Sequence, residues 1–355
     1  LAAALSIAPG FVSPVSAQVH SYILDSNGQG LIDLGTLGGS DTYARAINDA
    51  GQVVGWSNTT GGDRHAFITG PNGVGMTDLG PLGGFSSTAH GINAAGQVVG
   101  ESHTAAGGHA FITGPNGVGM TDLRTLGGHS SAAYGINAAG QVVGDSNTTA
   151  GYWHAFITGP NGVGMTDLGT LGGFSSAAYG INDAGQAVGE SQTVAGPWHA
   201  FITGPDGVGM TDLGTLGGHS SYAWGINEAG QVVGAFSTAA GTHAFITGSN
   251  GVGMTDLGTL GGDYSSATGI NDAGQVVGIS YTAAGEGHAF ITGPNGTGMI
   301  GLNLPSGMAV GGAVDINNVG QVLLTAAIPE PQSYALMLAG LILVGFMVRR
   351  KSLPA

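Results

Sequence analysis

Short apolar segments of strand length, separated by turn-forming residues, recur along most of the chain. Between residues 199 and 234, four such segments occupy residues 199–203, 208–213, 222–226 and 231–234. The intervening sequences Gly-Pro-Asp-Gly and Asn-Glu-Ala-Gly are typical of tight turns, and a glycine-rich loop separates the second and third segments. No part of this stretch keeps a helical period of apolar residues for long enough to compete. The pattern therefore predicts four short β-strands joined by turns.

This stretch is one copy of a unit that recurs every 44–46 residues. Three signatures mark the copies, and each supplies one repeated polar residue. The first copy has a degenerate His-Ser-Tyr in place of His-Ala-Phe, and in the seventh the aspartate signature has decayed to Ile-Gly-Leu-Asn at residues 300–303. The His-Ala-Phe signature gives His20, His65, His109, His154, His199, His243 and His288. The Thr-Asp-Leu-Gly-Thr-Leu-Gly-Gly signature gives Asp33, Asp78, Asp122, Asp167, Asp212 and Asp256. The Ile-Asn-x-x-Gly-Gln signature gives Asn48, Asn93, Asn137, Asn182, Asn227, Asn271 and Asn317. Seven units therefore cover residues 18–325.

Four strands per unit of about 45 residues predict one blade of a β-propeller, and seven units predict a seven-bladed ring. A single four-stranded sheet leaves both of its faces bare, whereas a closed ring covers each face with the neighbouring sheet. The alternative is a β-solenoid with the same period, which needs polar caps at its two ends. No such caps are visible in the sequence. The predicted fold is all-β, with the repeats forming one domain.

The three signatures together resemble the HAF-repeat family of bacterial extracellular proteins. The resemblance covers residues 19–325, almost the whole repeated region. It implies an exported repeat protein, and it implies no defined reaction.

The glycine content is consistent with many tight turns, and the charge and the absence of cysteine exclude several classes of partner and site. Glycine makes up 71 of the 355 residues, as expected if every unit contributes several glycine turns. The formal charge is −15, and the chain before residue 349 has three arginines and no lysine. Binding to nucleic acid needs cations that neutralise phosphates, so a nucleic-acid partner is not expected. Because there is no cysteine, disulfides, thiolate metal sites and a cysteine nucleophile are excluded.

The first 17 residues have the properties of a secretory signal. They are mostly small and apolar, and they end in Val-Ser-Ala, which has small residues at both positions that a signal peptidase reads. We interpret residues 1–17 as the remainder of a signal peptide, cleaved before Gln18. The alternative interpretation is an apolar N-terminus without a targeting role.

The other end of the chain predicts a membrane anchor. Residues 334–348 form a run without charge, followed at once by a basic cluster at 349–351. This pattern predicts a single short transmembrane helix, with the basic cluster in the cytoplasm and the repeats on the opposite side of the membrane. The alternative is a buried C-terminal helix of the domain.

A Pro-Glu-Pro motif, an apolar helix and a basic cluster in this order resemble the PEP-CTERM sorting signal of Gram-negative bacteria. The residues that carry the resemblance are Pro329, Glu330, Pro331, Arg349, Arg350 and Lys351. It implies that residues 326–355 anchor the protein in the inner membrane until an exosortase cleaves this segment. The protein would then pass from the periplasmic side of the membrane to the cell surface or the medium.

The repeated polar residues are expected to be structural. We expect each histidine to bond a neighbouring loop, each aspartate to accept N–H groups of the glycine-rich loop, and each asparagine to form an Asx turn. Equivalent residues of different blades lie far apart except near the axis, so repetition alone gives neither a metal site nor two adjacent catalytic carboxylates. No metal site is predicted, and Ca²⁺ held by acidic, glycine-rich loops is the alternative. Motifs of serine hydrolases, zinc proteases and P-loop enzymes are absent.

Function is expected where the repeats differ from one another. One variable column lies two positions before each Ile-Asn and holds Arg45, His90, Tyr134, Tyr179, Trp224, Thr268 and Val314. A second column follows Gly-Gly and holds Ser40, Phe85, His129, Phe174, His219 and Asp263. Trp153 and Trp198 precede His-Ala-Phe in adjacent units. Aromatic side chains of this kind suit stacking on sugar rings or on a partner protein, although they could instead fill gaps between blades.

The sequence thus predicts a monomeric, exported, non-catalytic surface or matrix protein that binds polysaccharide or another protein. The predicted ligand-binding face consists of Arg45, His90, Tyr134, Tyr179, Trp224, Trp153 and Trp198. No cofactor is predicted. The alternative is a glycan-active propeller enzyme, a hydrolase or a lyase, that uses one blade unlike the others.

Overall fold

A computed structural model describes residues 18–25, 30–105, 107–302, 304 and 308–328. The predicted signal peptide at residues 1–17 lies outside the described residues. The same holds for the sorting motif and the predicted transmembrane helix, which fall within 329–355. In the part of the chain that is described, no helix is long and apolar enough to cross a membrane.

The described residues form 28 β-strands and six single 3-10 turns. In chain order the strands are β1 (Gln18–Leu24), β2 (Leu31–Asp33), β3 (Gly38–Ile47), β4 (Val53–Thr59), β5 (Arg64–Thr69), β6 (Met76–Asp78), β7 (Ser87–Ile92), β8 (Val98–Thr104), β9 (Gly107–Thr113), β10 (Met120–Arg124), β11 (Gly127–Ile136), β12 (Val142–Thr148), β13 (Trp153–Thr158), β14 (Met165–Gly169), β15 (Gly172–Ile181), β16 (Ala187–Thr193), β17 (Trp198–Thr203), β18 (Met210–Gly214), β19 (Ser221–Ile226), β20 (Val232–Ser237), β21 (Thr242–Thr247), β22 (Met254–Gly258), β23 (Gly261–Ile270), β24 (Val276–Thr282), β25 (Gly287–Ile291), β26 (Ile300–Gly301), β27 (Ala309–Ile316) and β28 (Val322–Ile328). The 3-10 turns are Pro71–Gly73, Pro115–Gly117, Pro160–Gly162, Pro205–Gly207, Ser249–Gly251 and Pro294–Gly296.

These strands build seven four-stranded antiparallel blades, and the first strand of each blade lies innermost in the ring. Blades 1 to 6 each take four consecutive strands, starting at β3, β7, β11, β15, β19 and β23. Blade 7 is different, because it joins β27 and β28 from the end of the repeats to β1 and β2 from their beginning. One parallel backbone pairing, between Thr242 and Tyr264, also links blades 5 and 6.

Pairing between the first and last strands closes the ring. Strand β1 runs antiparallel to β28 along its whole length, from Gln18 opposite Ile328 to Leu24 opposite Val322. A β-solenoid has open ends, so this closure rules out the alternative fold. Strand β28 also continues to Ile328, three residues past the predicted end of the repeats at 325.

The predicted strands are present, but the predicted unit is not a blade. The four segments between residues 199 and 234 correspond to β17, β18, β19 and β20. Strands β17 and β18 are the outer half of blade 4, whereas β19 and β20 are the inner half of blade 5. Each sequence unit therefore spans two neighbouring blades, and this offset is what leaves two strands over at each end to form blade 7.

The core lies between blades rather than within one sheet. Between blades 4 and 5, for example, Val188, Ala200 and Ile202 pack against Val232 and Phe245. At six of the seven interfaces one phenylalanine of the His-Ala-Phe signature is fully buried: Phe67, Phe111, Phe156, Phe201, Phe245 and Phe290. At the interface between blades 6 and 7 the buried ring is that of Tyr22. Because the interfaces among blades 1 to 6 use the same small set of side chains, these blades can repeat with nearly the same sequence.

The two faces of the ring carry different connections. In blade 1, the N–H of Asn72 in the 3-10 turn donates to the carbonyl of Ala50 in the turn between the first two strands, at 3.1 Å. Both kinds of turn thus lie on one face, which we call the turn face. The opposite face, where the innermost strands begin and the second strands end, we call the loop face.

Candidate functional site

The repeated asparagines form a closed ring of hydrogen bonds on the turn face. The side chain of Asn182 accepts the N–H of Gln186 at 3.0 Å and donates to its side-chain oxygen at 2.9 Å. The same Nδ2 donates to the carbonyl of Asn227 in the next blade, at 3.3 Å. Equivalent bonds run from each asparagine to the next, and Asn317 closes the circle by donating to Asn48 at 3.0 Å. In every blade the asparagine oxygen accepts the N–H of the glutamine four residues on. The expected Asx turn, with a bond to the N–H two residues on, is present at Asn48 and Asn93. We call the interblade circle the turn ring.

Three residues before each asparagine, the innermost strand contains a β-bulge. In blade 4, Ala178 pairs with Gly189 and Gly180 pairs with Val188, which leaves Tyr179 between them without a partner. A bulge re-aims the side chain of its extra residue. The unpaired residues of the seven blades are Arg45, His90, Tyr134, Tyr179, Trp224, Thr268 and Val314. We call them the bulge ring.

The bulge ring lines one central cavity of about 210 Å³. Five residues of the predicted ligand-binding face are brought together there, namely Arg45, His90, Tyr134, Tyr179 and Trp224. Small residues beside the bulges allow the blades to approach: a Cβ on Gly135 would lie 2.9 Å from the carbonyl oxygen of Tyr179. The other two predicted residues lie elsewhere, since Trp153 and Trp198 begin the third strands β13 and β17 and do not line the cavity.

Three aromatic rings follow one another along the cavity wall. The ring centroids of His90 and Tyr134 are 5.2 Å apart, as are those of Tyr134 and Tyr179. The planes are tilted by 59° and 54°, so the rings present edges and faces in turn rather than one flat stack. This aromatic arc spans blades 2 to 4.

Three carboxyl groups back the arc. Glu101, Asp145 and Glu190 occupy the same position on the second strands of blades 2, 3 and 4, one residue after the Val-Val-Gly or Ala-Val-Gly sequence. The Tyr179 hydroxyl donates to Oε1 of Glu190 at 3.0 Å. The sequence reasoning missed these carboxyls, although their column varies between blades as the bulge column does. Blades 1, 5, 6 and 7 carry Trp56, Ala235, Ile279 and Thr325 there.

Burial shifts the ionisation of these groups. Burial raises the pKa of Asp145 to about 7; a hydrogen bond from Tyr134 opposes the rise, and the nearby Glu101 and Glu190 add to it. Burial likewise raises the pKa of Glu190, against the hydrogen bond from Tyr179. Among the described residues, Oδ1 of Asp145 is buried without a hydrogen-bond partner. A carboxyl that is partly protonated near neutral pH, that of Asp145, therefore lies behind the aromatic arc.

Two arginines flank the arc on the side of blade 1. Arg64 donates through Nε to Thr88 at 3.0 Å, lies 3.7 Å from Glu101 and stacks over the ring of Trp56 at 4.7 Å. Burial, with the charges of Arg45 and Arg64, lowers the pKa of His90 to about 3. The His90 imidazole is therefore neutral at physiological pH and can both donate and accept a hydrogen bond.

The cavity is consequently polar on one side and mostly apolar on the other. Ionisable and phenolic groups come from blades 1 to 4, whereas the bulge and carboxyl columns of blades 5 to 7 hold Trp, Thr, Val, Ala, Ile and Thr. Asp315 in blade 7 is the exception. It is buried, accepts the N–H groups of Ile47 at 3.0 Å and Ile316 at 2.9 Å, and has a pKa that burial raises to about 6.

The signature histidines and aspartates form pairs within six of the seven blades, whereas His288 in blade 6 lies 3.7 Å from Glu286. In blade 4, Nδ1 of His199 lies 2.8 Å from Oδ2 of Asp212, whose Oδ1 accepts the N–H of Gly214 at 2.7 Å. The corresponding pairs begin at His20, His65, His109, His154 and His243. The aspartates thus cap the loop as predicted, but the histidines contact these aspartates and not a loop. Among the described residues, no group of three or more histidine or acidic side chains is placed to hold a metal ion.

The column after Gly-Gly lies exposed where the innermost strands begin, on the loop face. Phe85 stacks with His103 at a centroid distance of 5.0 Å, and Phe174 stacks with Tyr152 at 5.2 Å. This column is therefore separate from the cavity, and its aromatic members form two pairs on the surface.

Comparison with known proteins shows the fold and no closer kinship. No family model and no curated protein matches the chain. Among solved structures, a putative TolB from Agrobacterium tumefaciens has a TM-score of 0.52 and 11% identity, over 89% of this chain and 100% of that one. An oligogalacturonate lyase from Vibrio parahaemolyticus has 0.52 and 8%, over 89% and 99%. The β-propeller domain of a trilobed protease from Pyrococcus furiosus has 0.50 and 10%, over 78% and 83%. The protein is an all-β repeat protein similar to β-propellers.

Proposed function

We propose that this chain is an exported, non-catalytic seven-bladed β-propeller of the bacterial surface or matrix, whose central cavity binds a sugar unit of an extracellular polysaccharide. The observation that carries the proposal is the convergence of all seven bulge residues on one cavity. Their backbone geometry is the same in every blade while their side chains differ, as expected of a ligand site built on a repeated scaffold.

The chemistry of the cavity wall suits a hydroxylated ligand. Aromatic rings offer faces and edges to the C–H surface of a sugar, and carboxyl, phenol and neutral imidazole groups can exchange hydrogen bonds with its hydroxyls. The cavity of about 210 Å³ is smaller than typical sites for drug-sized ligands, which measure about 300–1,000 Å³. One sugar unit or the end of a glycan chain is therefore the ligand of choice.

The export part of the proposal uses the two ends of the chain. Residues 1–17 direct secretion, and residues 326–355, with Pro329, Glu330 and Pro331, form a PEP-CTERM-type anchor that an exosortase removes. The HAF-type repeats then remain as the mature domain at the cell surface or in the medium. An almost lysine-free, acidic domain suits such a location, because it avoids binding to nucleic acid and to anionic lipid.

Binding can be tested by titration calorimetry of the purified protein with oligosaccharides cut from the extracellular polysaccharide of the producing bacterium. We expect saturable binding that Tyr134→Ala with Tyr179→Ala weakens at least tenfold. Tyr152→Ala, which removes a tyrosine outside the cavity, is the matched control and should bind as the parent does. Binding that survives the double substitution would place the ligand elsewhere.

A glycan-active enzyme is the second candidate, and the hydrogen-bonded pair of Tyr179 and Glu190 beside Asp145 favours it specifically. A phenol and a proton-bearing carboxyl are groups that can transfer protons in hydrolysis or elimination. The named activity of the similar Vibrio structure, oligogalacturonate lyase, is of this class. Chromatography of the same oligosaccharides after incubation distinguishes the candidates. Products that disappear in Glu190→Gln while binding persists would establish the enzyme.

The sorting proposal has its own test. In cells that process the protein, replacing Pro329, Glu330 and Pro331 by alanine should leave a larger form in the inner-membrane fraction. Mass spectrometry of the mature protein should locate its C-terminus near residue 328. If size and location stay the same after the substitution, the motif is not a sorting signal.

A further inference from the structure

The two predicted processing points lie side by side in the folded protein. Gln18, the first residue after the predicted signal, is the Cα partner of Ile328, the last residue before Pro329. The neighbouring Val19 N–H donates to Oδ1 of Asp41 at 3.0 Å, which ties this end of β1 to the start of β3 in blade 1. Both flanking segments therefore leave the ring from the same end of one strand ladder.

That end belongs to the loop face. Strand β28 finishes there at Ile328, opposite the beginning of β27 at Ala309, just as every second strand finishes beside the beginning of an innermost strand. The turn ring and its asparagines lie at the other end of the same innermost strands. The segment that follows residue 328 therefore begins at the loop face.

The loop face also exposes large aromatic side chains in blades 2 to 4. The exposed fractions are 67% for Phe85, 65% for Phe174, 44% for Tyr152 and 39% for Trp153. The exposed apolar residues of the turn face are instead mainly single valines beside the 3-10 turns, such as Val208 and Val252, and the same face carries carboxylates in the turns between the first and second strands. Aromatic side chains, and not isolated valines, are enriched where proteins meet the polar region of a bilayer.

We propose that the loop face is a membrane-docking surface: while the protein is anchored, Phe85, Tyr152, Trp153 and Phe174 rest in the headgroup region of the phospholipid bilayer and the turn face points away. This inference rests on the proposed anchoring of the chain through residues 329–355. Beyond anchoring, the proposal specifies that the loop face contacts the lipid through these four side chains and that the turn face stays accessible to other molecules.

Charge explains why this contact depends on the anchor. Without residues 329–355 the chain carries 20 acidic residues and three arginines, because the tail holds three cations and Glu330. A body with a formal charge of −17 is repelled by anionic lipid, so four aromatic side chains alone hold it weakly. A tether raises the local concentration of the surface near the bilayer and makes a weak contact effective. Cleavage removes the tether and its cations together, and the contact is lost.

The absence of cysteine allows a direct test of orientation in the full chain. The form with Pro329, Glu330 and Pro331 replaced by alanine is isolated in inner-membrane vesicles, and a single fluorescent label is attached to Ser40→Cys or His219→Cys on the loop face. Asp272→Cys on the turn face is the matched position. We expect a lipid-bound nitroxide quencher to reduce the loop-face signals at least threefold more than the turn-face signal. Equal quenching, or stronger quenching at residue 272, would overturn the docking surface.

The aromatic contribution is tested in the same vesicles. Phe85→Ser with Phe174→Ser should lower quenching at residue 40 about twofold, whereas the matched pair Val208→Ser with Val252→Ser on the turn face should leave it unchanged. Release of quenching by free extracellular polysaccharide, and not by the serine variants, would assign the surface to glycan instead and contradict the proposal.

Failure of anchoring and failure of the docking surface give different results. If the full chain never enters the membrane fraction, the proposed anchor is wrong, and the docking surface falls with it. The geometry has a separate readout: Gln18→Cys with Ile328→Cys should form a disulfide under oxidation, and Gln18→Cys with Asp272→Cys should not. A chain that is anchored and cross-linked at 18 and 328 but shows no face preference contradicts the docking surface alone.

Discussion

The turn ring and the bulge ring each take one residue from every blade, three positions apart in the sequence. The residue of the turn ring is the same in all blades, whereas that of the bulge ring varies. The turn ring is asparagine in every blade, whereas the bulge ring is arginine, histidine, tyrosine twice, tryptophan, threonine and valine. Each asparagine satisfies its own turn and donates to the next blade, so a substitution that removes its side-chain oxygen leaves a buried backbone N–H unpaired, and one that removes its side-chain N–H loses the bond between blades. Each bulge residue is outside the strand ladder, so its side chain is free to vary. In this repeat protein, therefore, the sequence varies at positions whose side chains are not needed to satisfy backbone hydrogen bonds.

The largest expected effect concerns Asp145, the buried carboxyl behind the bulge ring, and tests whether its ionisation lowers the free energy of unfolding. Asp145 has a folded-state pKa of about 7, above its ordinary value of 3.8, so the folded protein binds this proton more tightly than the unfolded chain. Its contribution to stability is complete below about pH 4 and is lost as the pH rises through about 7, a change of about 4 kcal/mol. In urea unfolding at several pH values, Asp145→Asn should remove this fall. Asp183→Asn, on the exposed turn face, should not, and an unchanged fall in Asp145→Asn would assign the titration to another group.

The next effect concerns the turn ring. Asn182→Ala removes an acceptor and two donated hydrogen bonds from a buried turn, and we expect the free energy of unfolding to drop by about 3 kcal/mol. Asn182→Asp keeps the acceptor oxygen and loses the donor, so it should fall between the parent and the alanine variant. Urea midpoints measure both. A loss of unfolding free energy below about 1 kcal/mol would show that the turn ring is dispensable and that it does not differ from the bulge ring in its importance for stability.

A smaller effect is expected at Arg124, which has a positive φ at a position where five other blades have glycine. Arg124 has φ 67°, while the equivalent Gly35, Gly80, Gly169, Gly214 and Gly258 have φ between 64° and 79°. Only glycine adopts this region without strain, so Arg124→Gly should stabilise the protein by about 1 kcal/mol. The reverse change, Gly169→Arg, should cost about as much. Thermal unfolding of both variants checks the sign, and destabilisation by Arg124→Gly would mean that the arginine side chain contributes contacts worth more than the strain.

The smallest effect is expected in the bulge ring itself. Arg45→Gln should change the free energy of unfolding by no more than about 0.5 kcal/mol, since this residue pairs with no other strand. It should also raise the pKa of His90 somewhat, because the Arg45 charge is one of the causes that lower it. NMR titration of the imidazole measures the second effect. A stability loss comparable to that of Asn182→Ala would remove the distinction between the rings.

Local sequence patterns were enough to predict the strands, the seven units and the column that lines the cavity. Each of these depends on turn residues and on repetition, which are visible within about 45 residues. The offset between unit and blade was not predictable, because it depends on the pairing of Gln18 with Ile328 at the far ends of the repeats.

The carboxyls Glu101, Asp145 and Glu190 were missed for a related reason. They lie on a different strand from the bulge residues, and only the folded sheet brings Glu190 to the hydroxyl of Tyr179. The pairing of each histidine with its aspartate likewise joins the third and fourth strands of one blade. Spacing alone does not show which residues of two repeated columns will meet.

The composition of blade 7 also sets an order for folding. Its inner strands are the last to be made and its outer strands the first, so the final sheet is completed only by contacts of very high sequence separation. Until then, β1 and β28 are unpaired edges that another chain could join. A chain whose last strand has not yet paired would therefore be the form most prone to aggregation, and pairing of residues 322–328 is the step that ends this risk.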